Sequence, residues 1–106
     1  MTTVPDELPG ADLVVAGIED LRRGEFTVEA LLVAVGAHRL REAGLPVPEA
    51  SGWPREPEHA LYDAIGRSGV EDSHARYNSL IRRLVSFERA LERRHTTRPG
   101  WLWGAH

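Results

Sequence analysis

The sequence contains no cysteine, no lysine and no glutamine among its 106 residues. Without cysteine there can be no disulfide bond, no thiolate nucleophile and no metal site with cysteine ligands. Without lysine there can be no phosphate-binding loop of the Gly-x-x-x-x-Gly-Lys type, and all 13 basic residues are arginine. A domain of this size must therefore be stabilised by packing alone, helped by a partner subunit where its core is too small.

Long hydrophobic runs are also missing. No stretch of about 18 apolar residues exists, and the first residues lack the basic segment and apolar core of a secretory signal, so we expect a cytoplasmic protein with no membrane contact. Hydrophobic residues make up 42% and charged residues 27% of the chain, which is typical of a single globular domain. We expect an extended lead-in over residues 1–10, one helical domain over residues 11–98 and an aromatic tail over residues 99–106.

The apolar spacing predicts an all-α fold, a small four-helix bundle with helices at about 11–23, 28–43, 57–67 and 72–95. A long loop rich in proline and glycine separates the second and third helices and contains Trp53. The second helix, for which Thr27 is the expected N-cap, is apolar on two sides. Such a pattern is typical of a buried helix, so we expect this helix to lie at the centre of the fold.

The last helix has one continuous apolar seam and an arginine-rich remainder. The seam, which is suited to pairing with a second copy of the chain, consists of Tyr77, Leu80, Ile81, Leu84, Phe87 and Leu91. Residues 1–75 hold 14 acidic residues against 6 arginines, a net charge of −8, whereas residues 76–106 have a net charge of +5. We expect a homodimer in which the acidic first helix of one copy meets the basic last helix of the other.

The arginines of the last helix are a candidate binding face, comprising Arg76, Arg82, Arg83, Arg89, Arg93 and Arg94. Glu88 has no arginine three or four residues away, and Glu92 has only Arg89, so these charges are not neutralised within their own helix. The face is either simply solvated, or it binds an acidic protein partner or a nucleic acid. The overall charge of −3 disfavours the nucleic acid, because long-range attraction to a polyanion would be weak.

The segment from Arg89 to His95 resembles the Arg-x(4–6)-His motif of the HEPN nucleases, which are α-helical dimers that cleave RNA. The resemblance covers seven residues and implies that Arg89 would hold a phosphate and His95 would handle a proton or orient the sugar. Ala90 stands where those enzymes usually have a polar residue.

Two Glu-x-x-His spacings, Glu56 with His59 and Glu71 with His74, are those of carboxylate–histidine metal sites in helical bundles. Both pairs fall at the starts of predicted helices, where acidic residues are favoured in any case, and additional ligands are lacking. We therefore predict neither a metal nor a cofactor. No nucleophile motif is present either, so the sequence identifies no catalytic residue.

Three tryptophans are candidates for aromatic docking. Trp101 and Trp103 follow the Pro99-Gly100 break and would expose two indole rings, which soluble proteins tend to reserve for contacts. Trp53, in the long loop, is the third. Together these features predict a small helical protein–protein interaction or regulatory module. The alternatives are a nucleic-acid-binding protein that uses the arginine-rich helix and a HEPN-like ribonuclease.

Overall fold

The computed structural model describes residues 8–48 and 52–96, with side chains as far as residue 93. Five helices occur in these ranges, α1 (Ala11–Arg22), α2 (Val28–Val35), α3 (Ala37–Glu42), α4 (Pro57–Arg67) and α5 (Ser73–Thr96). The prediction of an all-α fold is thus confirmed, since the described residues form no strand. Within the same two ranges, no helix combines the length and the apolar character needed to cross a membrane.

Helix α2 lies at the centre of the fold, as its apolar pattern predicts. Five consecutive residues, Ala30–Ala34, are buried, and α2 contacts α1, α4 and α5. Thr27 is the N-cap of α2, and its hydroxyl oxygen accepts a hydrogen bond from the backbone N–H of Ala30 at 3.1 Å. The same hydroxyl donates to Asp20 Oδ2 at 2.5 Å, so the cap also joins the start of α2 to α1.

Helices α1 and α2 approach each other closely at Gly17. A Cβ atom on Gly17 would lie 2.9 Å from the carbonyl carbon of Glu29 and nearer still to its carbonyl oxygen and to Val33 Cγ2. Two helices can come this close only where one of them presents bare backbone. Gly17 therefore allows the largest helix–helix contact of the fold.

The helix predicted over residues 28–43 is divided in two at Gly36. A Cβ atom on Gly36 would lie 2.5 Å from Glu88 Oε2 and 3.1 Å from Leu84 Cδ2, because α5 packs directly against the backbone at this point. The interruption is a consequence of this contact and of the weak helix propensity of glycine. Beyond it, α3 continues as a separate short helix that is fixed to the core by the fully buried Leu40.

The apolar seam of α5 is used within the chain itself. Leu80, Leu84, Phe87 and Leu91 are buried, and Tyr77 and Ile81 are partly buried against the same core, which α5 shares with α2 and α4. The expectation that this seam pairs with a second copy is therefore wrong. Dimerisation by another surface stays a prediction.

Candidate functional site

The exposed side of α5 carries the arginines that the sequence singles out. Arg76, Arg82, Arg83, Arg89 and Arg93 are all exposed, and the side chain of Arg94 lies outside the described residues. Arg82, Arg89 and Arg93, here called the arginine ridge, follow one line along α5 on the side opposite the buried seam. Arg82 and Arg89 are two helical turns apart, about 10 Å along the helix axis.

Several arginines of the described residues are paired with carboxylates. Arg23 pairs with Asp20 and Glu25, Arg39 pairs with Glu88 and Glu92, and Arg83 Nη2 lies 3.4 Å from Asp12 Oδ1. The Arg83–Asp12 pair joins the basic last helix to the acidic first helix within one chain, whereas the charge pattern predicts this contact between two copies.

Two members of the arginine ridge differ from these paired arginines. Arg82 and Arg89 form no ion pair with any carboxylate of the described residues, and the same is true of Arg76. The two glutamates of α5 do not neutralise the ridge, because both carboxylates turn towards Arg39 on α3. The prediction that these arginines are not neutralised within their own helix is correct for Arg82 and Arg89. The exposed side of α5 therefore presents uncompensated positive charge.

Among the described side chains, the buried charged one is Glu88, with 5% of its surface exposed. Its carboxylate lies beneath Gly36, and Arg39 Nη1 is 3.1 Å from Glu88 Oε1. Burial raises the pKa of Glu88, and the charge of Arg39 opposes that rise. Arg39 also donates a hydrogen bond of 2.6 Å to Glu92, which together with the negative charge of Glu88 raises the pKa of the Arg39 guanidinium. This network fastens α3 to α5, and sequence reasoning missed it because its partners are about 50 residues apart.

A groove between α4 and α5 is the second feature that sequence reasoning missed. Its volume is about 450 Å³, and its lining, here called the tyrosine groove, consists of Glu56, Glu58, His59, Tyr62, His74, Tyr77 and Asn78. The rings of Tyr62 and Tyr77 meet at an interplanar angle of 56°, with centroids 5.5 Å apart. The fold thus brings one Glu-x-x-His pair and the histidine of the other into one groove. Among the described side chains, no group of three or more potential ligands could hold a metal ion.

Trp53 packs against the hydrophobic core and is partly buried. The guanidinium of Arg41 lies over its ring, 5.3 Å from the ring centroid, while Arg41 Nε and Nη2 donate to the carbonyl oxygens of Val47 and Pro48. This cation–π contact and the two hydrogen bonds fix the loop against α3. Trp101 and Trp103 lie outside the described residues, so the aromatic docking site stays a prediction.

The Arg89–His95 pair that resembles the HEPN motif lies in the C-terminal half of α5. Arg89 is exposed on the arginine ridge, whereas the side chain of His95 lies outside the described residues. A ribonuclease activity of this pair stays a prediction.

Comparison of the chain with protein-family models, with curated proteins and with solved structures finds no match in any of the three. The function must therefore be inferred from the surfaces described above.

Proposed function

We propose that this chain is a small helical interaction module that binds an acidic surface of a partner protein through the arginine ridge. The observation that carries the proposal is that Arg82 and Arg89 are exposed on one line of α5 and have no ion pair among the described residues. Helix α5 is held from both sides, by Arg39 of α3 and by Asp12 of α1. The ridge is therefore presented on a fixed helix.

The spacing of Arg82 and Arg89 suits carboxylates on a partner helix. Acidic residues seven positions apart on a facing helix have the same spacing of about 10 Å, so each guanidinium can meet one carboxylate with two parallel hydrogen bonds. An exposed ion pair contributes roughly 0.2–1 kcal/mol. Two such pairs contribute roughly 0.4–2 kcal/mol, and about 1.4 kcal/mol within this range corresponds to a tenfold difference in affinity.

An acidic protein suits this surface better than a nucleic acid does. The chain has a net charge of −3. Ten acidic residues of the described part of the chain lie before Asp72, the residue that directly precedes α5. A nucleic acid extends beyond a narrow ridge and would meet this negative field, whereas a partner helix covers the ridge alone. A nucleic acid would bind only if the positive potential of the ridge outweighed the negative electrostatic potential of the rest of the molecule.

A second copy of the chain is the second candidate partner, as a homodimer. The observation that favours it is that the molecule also carries unpaired negative charge to match the ridge: Glu56 and Glu58, exposed at the start of α4, have no ion pair with a described residue. A symmetric contact of one ridge with the other would set arginine against arginine, so a dimer must place each ridge on the carboxylates of the other copy. The aromatic tail, with Trp101 and Trp103, would add to either contact.

The test compares two double variants that remove the same charge. Arg82→Gln with Arg89→Gln removes the ridge charges, and Arg55→Gln with Arg67→Gln removes two other exposed arginines from outside α5. A fluorescent helical peptide with glutamates seven residues apart is titrated with each protein at several salt concentrations. We expect the ridge variant to bind about tenfold more weakly and the control variant to stay within about twofold of the wild type.

Equal weakening by both double variants would contradict the proposal, because it would show that only net charge matters. Tighter binding of an RNA oligonucleotide than of the acidic peptide, lost steeply with added salt, would replace it by the nucleic-acid function. Sedimentation of both variants beside the wild type tests the homodimer. Self-association that the ridge variant loses and the control retains would identify a second copy as the partner.

A further inference from the structure

The tyrosine groove combines aromatic faces with negative charge. Tyr62 of α4 is 39% exposed, and Tyr77 of α5 is partly buried against the core. Their rings are tilted at 56° and form two walls of a corner, with Tyr77 held by packing and Tyr62 open to solvent. The face of an aromatic ring carries a partial negative potential and attracts cations.

Charge at the mouth of the groove acts in the same direction. Glu56 and Glu58 line it, are exposed, and have no ion pair with any described residue. The imidazole of His59 faces a carboxylate of its own helix, with Nε2 3.6 Å from Asp63 Oδ2. Of the described residues that line the groove, two are glutamates and none is an arginine. An anionic ligand is therefore disfavoured, and a cation would be stabilised both by the carboxylates and by the ring faces.

The dimensions suit a small molecule. A volume of about 450 Å³ falls in the range of roughly 300–1,000 Å³ that is typical of ligand sites. Asn78 adds an amide that can both donate and accept a hydrogen bond beside the two rings. The groove therefore offers an apolar corner for the body of a ligand, carboxylates for its charge and one amide for its orientation.

We propose that the tyrosine groove binds a small organic cation, an ammonium or guanidinium group on a short apolar body. The cationic group lies over the ring of Tyr62 and within reach of Glu58, and the apolar body lies against Tyr77. The same chemistry occurs in a free amine and in a lysine or arginine side chain of a peptide. This site uses none of the ridge arginines, so it does not rest on the binding of an acidic partner protein by the ridge.

The sequence itself supplies a reporter for this site. Asn78 is the single asparagine of the chain, and glutamine is absent. The side-chain amide of Asn78 is therefore the one NH₂ pair of its kind in a nitrogen–proton correlation spectrum of the whole protein. Movement of this pair of signals on titration reports directly on the groove.

The experiment titrates the full chain with 2-phenylethylammonium and, as a neutral analogue of the same shape, with 2-phenylethanol. We expect the Asn78 signals to move with a dissociation constant of about 1 mM for the ammonium, which is reasonable for an open groove and nine non-hydrogen atoms. The alcohol should bind at least about tenfold more weakly, because it lacks the charge that the rings and carboxylates recognise. Equal binding of both compounds, or no movement of the Asn78 signals, would overturn the proposal.

Three variants locate the contact. Tyr62→Leu and Glu58→Ala should each weaken binding of the ammonium by about three- to tenfold, whereas Tyr62→Phe should keep it within about twofold, because it retains the ring. Phe26→Leu is the matched control, since Phe26 is also 39% exposed but lies in the connection between α1 and α2. An equal effect of the Phe26 and Tyr62 substitutions would contradict the assignment.

The source of the cation is determined by a second pair of probes. Tighter binding of N-acetyl-arginine amide than of 2-phenylethylammonium would indicate a side chain of a protein partner. The reverse order would indicate a free amine. The double variant of Arg82 and Arg89 should bind both probes like the wild type, so a failure of the ridge proposal and a failure of this one can be distinguished.

Discussion

The close contact of α1 and α2 at Gly17 predicts that Gly17→Ala destabilises the protein, although helix propensity alone predicts that it stabilises it. Gly17 is inside α1, where replacing glycine by alanine would by itself stabilise an exposed helix by about 1 kcal/mol. In this fold the added Cβ would overlap the carbonyl group of Glu29 and Val33 Cγ2. The carbonyl belongs to the backbone of α2 and cannot rotate away, so the two helices must separate.

The expected magnitude follows from these two opposing terms. Overpacking of a well-packed core typically costs about 1–3 kcal/mol, and more where backbone atoms must shift. This cost exceeds the propensity gain, so Gly17→Ala should lower the free energy of unfolding by about 1–2 kcal/mol. For a domain of this size the melting temperature should fall by roughly 4–16 °C.

Gly66→Ala is the matched control for this prediction. Gly66 is also helical, in α4, but an added Cβ would meet only Ser73 Oγ, at an ordinary 3.8 Å. This variant should be more stable than the wild type by up to about 1 kcal/mol. Thermal and urea unfolding of the three proteins, followed by circular dichroism, should therefore give shifts of opposite sign. Equal or higher stability of Gly17→Ala would refute the close helix contact.

Three further perturbations test other parts of the molecule. Leu32→Ala removes a fully buried side chain of the central helix and should cost about 2–5 kcal/mol in urea unfolding; a loss below about 1 kcal/mol would contradict its central position. Burial raises the pKa of Glu88. At pH values above the ordinary carboxyl pKa, the native state therefore binds more protons than the unfolded state does, and the contribution of Glu88 to stability falls as pH rises. Wild-type stability relative to Glu88→Gln should therefore decrease from about pH 4 to pH 7, and an increase would show that the Arg39 pair dominates. Deletion of residues 100–106 should leave helix content intact and weaken self-association, as measured by sedimentation; unchanged association would rule out docking of the aromatic tail in a dimer.

Local signals in the sequence predict several elements of the fold well. Thr27 is the N-cap of α2 because a hydroxyl before an apolar run satisfies an end N–H within the same segment. The seam of α5 and the burial of α2 follow equally from periodicity along one helix. These features depend on residues that are close together in the sequence, so the sequence predicts them without knowledge of the tertiary structure.

The remaining features depend on which helices meet. The break at Gly36 arises because Glu88 and Leu84 of α5 occupy the space beside it. The spacing of apolar residues along one helix does not predict a contact with another helix. The same holds for Arg39, whose partners lie on another helix, and for the tyrosine groove, which exists only because α4 packs beside α5. The charge pattern of the sequence identifies the arginines of α5. Which of them form ion pairs depends on the positions of α1 and α3.

The division of the second helix at Gly36 also bears on how the native protein opens. A helix of six residues such as α3 has almost no stability of its own, because nucleating a helical turn is unfavourable. It is held by the burial of Leu40 and by the network of Arg39 with Glu88 and Glu92, in which Arg39 and Glu92 are half-exposed to water. Helix α2, by contrast, is buried over five consecutive residues, Ala30–Ala34. Amide hydrogens of α3 should therefore exchange with solvent through a local opening that leaves α2 protected, and those of α2 should exchange only when the whole domain unfolds.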